Sequence, residues 1–280
     1  MQRRKGRSKR TGIKVCIAAG MIVVGAAGVA IWCYRCEQTA HIATKEEQLN
    51  IEAILAKDAW TEADYEILQG QTGLSAVVIS TLAEQGRKEE ILHLQEAYFA
   101  PVKVSCEHNS IVSKEEYVVD EEGNPTTGMS IPYVENGDIL ITFCSHVFGW
   151  RNGHAAIVID EEAGLVLEAQ VLGSPSVVAS LKRWEQYPSF QILRLKGASR
   201  EERAAVAEYA KSNLAGVPYR LTAGIWPDGS ELLSGTQCAH LVWYAYDHFG
   251  YDLDSDGGLV VTPYDLSQSP NLEVIQKYGG

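Results

Sequence analysis

The sequence predicts an α+β fold carried behind a single membrane-spanning helix. Three observations predict it: an apolar run at residues 13–34, helical periodicity over residues 45–100, and short apolar strands clustered between 138 and 195 with helical patterns on either side.

Residues 13–34 read IKVCIAAGMIVVGAAGVAIWCY, interrupted only by Lys14 near the edge. At ~1.5 Å per residue the run is roughly 33 Å long, enough to cross the hydrocarbon core of a bilayer. Seven basic residues (Arg3, Arg4, Lys5, Arg7, Lys9, Arg10 and Lys14) and no acidic ones precede Tyr34. That asymmetry predicts residues 1–12 as a basic cytoplasmic tail, 13–34 as an uncleaved signal anchor in the cell membrane, and the remainder as extracytoplasmic. Trp32 and Tyr34 suit the outer interface. A cleaved signal is the lesser alternative, because Trp32, Cys33, Tyr34 and Arg35 leave no small-residue cleavage site after the run.

The whole chain has 24 basic and 36 acidic residues, a net charge of −12. Beyond the span, 17 basic face 36 acidic residues, a net of −19. An acidic soluble part argues against nucleic acid as the partner. Of six cysteines, Cys16, Cys33 and Cys36 lie in or beside the span, and Cys106, Cys144 and Cys238 remain. They include no CxxC pair, so neither a metal site built on cysteine pairs nor any cofactor is indicated. A Cys106–Cys144 disulfide stays open. Three thiols leave at least one unpaired among themselves, and an exported chain that keeps a free thiol has catalysis as one use for it.

Residues 45–106 are expected to form a helical stalk or cap. Leu49, Ile51, Ile54 and Leu55 recur at helical spacing, and Thr61 to Asp64 has the form of a capping box. The stretch 61–86 reads as helix, Gly-marked turn, helix. KEEILHLQEAYF at 88–99 is a further helix ended by Pro101, and VKVSC at 102–106 is a short strand. Residues 107–136 hold polar turn material, a linker or hairpin. Strands follow at 138–143, 153–159, 165–170 and 191–195, with a turn at 160–164 that makes the second and third neighbours. Ser199 with Glu202 three residues on opens a helix to 213, and 236–249 is another helical pattern. Residues 130–280 are the expected catalytic domain.

Cys238 stands at the start of that last helix, in TQCAHLVWYAYDHFG. Free N–H groups and partial positive charge at a helix start favour a thiolate and can stabilise an oxyanion. His154 opens the strand GHAAIVI, where it can reach a neighbouring helix end. Glu168, in the next strand LVLEAQ, can accept from one imidazole nitrogen and fix the tautomer. Each alone has a plainer reading, as a core thiol, a satisfied edge histidine and a solvent-facing carboxylate. Cys144 and His146 form a weaker rival pair on one strand. His240 points away from Cys238 and reads as structural, and Asp252, Asp254 and Asp256 read as a turn because the terminal Glu of a calcium loop is missing.

The segment GVPYRLTAGIWPDGSELLSGTQCAHLVWYAYDHFG resembles the nucleophile region of the NlpC/P60 cell-wall hydrolases, through Pro218-Tyr219 and Cys238-Ala239 with Leu241-Val242. GHAAIVI…LVLEA resembles that family's His-bearing strand and its successor. His154 and Glu168 precede Cys238, whereas the family's usual order is Cys first. The order here resembles the circularly permuted branch of the papain-like superfamily, the YiiX-like and LRAT-like proteins, as does GDIL at 137–140. The resemblance covers roughly residues 136–270. Two departures stand out. Gln237-Cys238-Ala239-His240 replaces Asp-Cys-Ser-Gly, and Glu168 stands where LRAT-like members commonly have His, which favours the YiiX-like side.

The resemblance implies a papain-like fold with an antiparallel sheet and a nucleophile helix. It also implies a cysteine peptidase or amidase in which Cys238 attacks a carbonyl, His154 serves as base, Glu168 orients it and Tyr219 helps bind the oxyanion. A peptidoglycan stem peptide is the expected partner. Lipid or acyl amides and esters at the membrane surface, and a non-catalytic envelope-binding role, are the alternatives.

Overall fold

The computed structural model describes residues 5–36, 40–42, 44, 46–110, 113–225 and 233–279. The first residues of the basic tail, and residues 226–232 ahead of the nucleophile helix, lie outside the described residues. Helix α1 (Lys5–Cys36) contains the apolar stretch Lys14–Trp32, unburied along its length. Among the described residues it alone is long and apolar enough to cross a membrane, as an anchor or a signal sequence is.

A short strand, β1 (Ala40–Ile42), precedes four helices: α2 (Glu52–Leu55), α3 (Glu62–Thr72), α4 (Ala76–Glu84) and α5 (Lys88–Phe99). Local chemistry sets their ends. The Thr61 hydroxyl accepts from the Asp64 N–H while the Asp64 carboxylate accepts from the Thr61 N–H, a closed capping box. The Ser75 side chain caps α4. Strands β2 (Pro101–His108) and β3 (Ser113–Val119) then pair antiparallel, so only the first part of the stretch expected at 107–136 as a linker or hairpin belongs to a hairpin, and its polar part begins with a turn at Asp120–Asn124 beyond β3.

Next come β4 (Ile139–Thr142), β5 (Ser145–Val147), β6 (His154–Asp160), β7 (Leu165–Glu168), β8 (Val177–Ser180), a 3-10 turn (Leu181–Gln186), β9 (Phe190–Leu195), α6 (Arg200–Asn213), α7 (Cys238–Asp247), α8 (Pro263–Gln268) and β10 (Leu272–Tyr278). Every strand pairing is antiparallel. One sheet has the order β1-β2-β3-β5 and the larger β10-β9-β4-β6-β7-β8. The fold is thus α+β with antiparallel sheets, as expected.

The six-stranded sheet is buried on both faces: the apolar residues of its central strands, ILI in β4 and AAIVI in β6, run consecutively rather than at alternate positions. Leu140, Ala156, Val158 and Ile192 join a core with Leu68, Ile79, Leu82 and Ile91 from α3, α4 and α5. Ile139, Ile141, Ala155 and Ile157 face the other way, onto Val206 and Ala210 of α6 and Leu241, Val242 and Ala245 of α7. The helices expected as a stalk or cap therefore share the sheet's own core. Backbone bonds close this packing: Ser75 N–H to the Ile275 carbonyl at 2.9 Å and Lys277 N–H to the Gly73 carbonyl at 2.7 Å.

The GDIL segment has a structural role. Gly137 sits at φ 90°, a conformation that favours glycine, and a Cβ there would lie 2.7 Å from the Arg203 carbonyl oxygen. Asp138, fully buried, accepts two bonds from Arg194 of β9 at 2.8 and 2.7 Å and one from the Glu135 N–H at 2.7 Å. Arg203 of α6 reaches Glu135, and the Tyr246 hydroxyl of α7 donates to the Gly137 carbonyl. One buried cluster thus ties the strand before the site to both helices behind it.

Candidate active site

Helix α7 starts two residues later than the periodicity suggests. Gln237 is its N-cap, and its side-chain Oε1 accepts the Ala239 N–H at 2.9 Å and faces the Cys238 thiol at 3.5 Å. Cys238 is therefore the first residue of the helix, nearest the unpaired N–H groups. The Gln237 side-chain nitrogen is turned away to the Val261 carbonyl, so it is not aimed at the thiol.

His154 begins β6 at the point where the chain turns in through Gly153, at φ 79°. A Cβ at Gly153 would meet the Thr142 carbonyl oxygen at 2.7 Å. The His154 Nε2 lies 2.7 Å from Glu168 Oε2, and Cys238 is near enough to the imidazole to act on its charge. With Nε2 on the carboxylate, Nδ1 is the nitrogen left for sulfur. The pairing of Ala156 with Glu168 in the β6–β7 register sets this contact, since His154 and Ala156 lie on one face. Two of the four residues singled out from sequence are therefore joined side chain to side chain, with Cys238 close to the ring.

The electrostatics follow from burial and partners. Burial works against a charged imidazole, but Cys238 and Glu168 outweigh it and raise His154 to about 10. Burial likewise opposes a charged Glu168, yet His154 and then Arg183 hold it below the usual carboxylate range. The arrangement favours an imidazolium against the Glu168 carboxylate.

Several supporting residues escaped the sequence reading. Gln170 donates to Glu168 Oε1 at 2.6 Å, and Arg183 approaches the same oxygen at 3.3 Å. Arg183 continues to Glu115 at 2.6 Å and to the Tyr117 hydroxyl at 3.0 Å. Trp184 stacks on the His154 ring, with centroids 5.5 Å apart and planes within 16°. Arg183 and Trp184 sit in a 3-10 turn, which has no apolar period to betray it. Gln170 had a visible sign: it is two residues beyond Glu168.

Tyr219 stands half-buried next to this group. Burial, with the nearby Cys238, raises its pKa, so the phenol is a neutral donor. It is held by a backbone bond to Ser174 and by the bridge to Thr236 just ahead of Gln237. A small groove at its side is lined by Phe148, Gln170, Val171, Leu172 and Leu221.

The rival residues go elsewhere. Cys106 and Cys144 are not joined by a disulfide. Cys144 is buried, points to the Ser189 carbonyl, and burial pushes it up to about 12. His146 pairs with Glu116 at 2.9 Å instead of with Cys144. His240 bonds Thr236 through Nδ1 at 3.2 Å, a structural placement. Alkylation of the native chain followed by peptide mass mapping should label Cys238 and leave Cys144 unmodified until the chain unfolds. Equal labelling of the two in the native chain would contradict the site.

No known family's sequence profile matches the chain, and no curated protein sequence matches it. Among solved structures, that of metalloprotein yiiX from Escherichia coli O157:H7 is similar in part. It aligns with 52% of this chain and 98% of that one at 18% identity, with a TM-score of 0.40.

Proposed function

We propose that this chain is an extracytoplasmic thiol hydrolase of the permuted papain-like kind that cleaves amide bonds. The observation that carries the reading is the His154–Glu168 hydrogen bond of 2.7 Å beside Cys238, which is the first residue of a helix and acts on the charge of the His154 ring. In the proposed reaction the Cys238 thiolate attacks the carbonyl carbon. Helix N–H groups and the Tyr219 phenol stabilise the oxyanion. The imidazolium of His154 gives its proton to the leaving amine, and the imidazole then draws a proton from the water that hydrolyses the thioester. Glu168 holds the ring, and Gln170 and Arg183 hold Glu168.

The proposed substrate is a peptidoglycan stem peptide, in keeping with the resemblance to cell-wall hydrolases and a domain on the outer side of the span. Purified full-length chain in detergent should release a free amine from muropeptides, and Cys238→Ala should abolish the release. Turnover undiminished in that variant would remove Cys238 from the mechanism.

A second reading, a lipid or acyl amide or ester at the membrane surface, is favoured by one feature. The groove beside Tyr219 is rimmed by the exposed side chains of Phe148, Leu172 and Leu221. Phe148 is held at φ 51°, in a tight turn whose next aromatic, Trp150, lies 6.3 Å from Trp32 at the end of the apolar span. A panel of lipid amides run beside the muropeptides distinguishes the two substrates.

A further inference from the structure

We infer that Cys106, Glu116 and His146 form a binding site for one Zn²⁺-type cation, separate from Cys238 and its partners. Sheet register builds it. Cys106 of β2 is the direct cross-strand partner of Glu116 on β3, so the two side chains share a face. His146 of β5 lies across from Lys114, two residues before Glu116 and hence on that same face. One thiol sulfur, one imidazole nitrogen and one carboxylate oxygen come within 4.8 Å of one another.

The donor set selects the ion. A thiolate, an imidazole and a carboxylate suit Zn²⁺ in tetrahedral geometry with one position open, whereas Mg²⁺ and Ca²⁺ ask for oxygen alone. Glu116 and His146 are buried and Cys106 is half-exposed, which leaves an approach from the thiol side. Arg151 donates to both Glu116 oxygens, at 3.1 and 2.6 Å, and to the Phe143 carbonyl. It thereby orients the carboxylate as outer partners orient metal ligands. Binding releases the Cys106 thiol proton, and the ion takes the place of the direct bond of 2.9 Å between His146 and Glu116.

The site and the candidate active site meet at one strand without sharing a residue. Glu115 and Glu116 are consecutive on β3 and face opposite ways, the first to Arg183 and so to Glu168, the second to His146 and Arg151.

The test uses full-length chain in detergent, stripped with a chelator and titrated with Zn²⁺ and with Co²⁺ as a spectroscopic probe. One ion per chain is expected, with a thiolate-to-cobalt charge-transfer band, in both the unaltered chain and Cys238→Ala. Zn²⁺ should also protect Cys106, and not Cys238, from alkylation. Cys106→Ser, at a half-exposed position, should abolish the band, and His146→Gln should weaken binding by about 10–100-fold or more. Absence of a bound ion, a band that survives Cys106→Ser in a chain with native circular dichroism, or a band lost in Cys238→Ala would each overturn the assignment.

Discussion

Replacing His154 by alanine is expected to slow amide turnover by about 10²–10⁴-fold, the usual contribution of a positioned acid–base group. The pKa of His154 is raised from 6.5 to about 10 in the folded chain. A raised value means that folding favours the charged imidazole. Its stabilising contribution is fully present below about pH 6.5 and is lost as pH rises through the folded value near 10. Glu168→Gln removes one of the two groups that raise it while keeping the side chain's shape. The pH profile of turnover should then lose its alkaline limb at lower pH than in the unaltered chain. Arg183 keeps Glu115 as its partner in that variant, so the fold is expected to survive, which circular dichroism would check. An alkaline limb that stays in place would mean that Glu168 does not set the state of His154.

How much of this was legible in the sequence depends on how local each feature is. Strands β4, β6, β7 and β9 and helices α3, α5, α6 and α7 come from apolar runs and caps that act within a few residues, and they lie close to where the patterns place them. The Thr61 and Ser199 boxes are the clearest cases, since both halves of each box are read from four consecutive residues. The contact of His154 with Glu168 was legible for a similar reason: one tight turn fixes the register of the two strands that carry them. Glu115, Arg183 and Trp184 were not, because they reach the site from β3 and a 3-10 turn that are remote in sequence. Register across three strands, rather than spacing along one, also brings Cys106, Glu116 and His146 together. Spacing rules for cysteine pairs pass over such a set. The two-sided burial of the larger sheet was hidden too: residues 45–106 look like a spacer when their partner, the sheet face carrying Leu140, Ala156 and Val158, lies far along the chain.

Arg194→Met is expected to be the most destabilising single change outside the apolar core, at about 3–5 kcal/mol. Asp138 is fully buried and Arg194 nearly so, and the guanidinium answers both Asp138 oxygens as well as Glu135 at 3.2 Å. Methionine fills much of the same space but leaves the Asp138 carboxyl inside with only the Glu135 N–H and no cation. Burial already pushes that carboxyl above its ordinary range, so without Arg194 its charged form loses its main compensation. For a domain of this size the loss corresponds to a fall in Tm of roughly 6–20 °C. Desolvation makes a second, sharper expectation. If the cost comes from stranding a charge, then removing both charges must cost less than removing one. Asp138→Leu combined with Arg194→Met should therefore be more stable than Arg194→Met alone, with a coupling of about 0.5–3 kcal/mol in denaturant melts. Simple additivity would locate the loss in packing instead. Glu135 and Arg203 remain as a pair in either variant, so the tie to α6 persists while the one between β4 and β9 is tested.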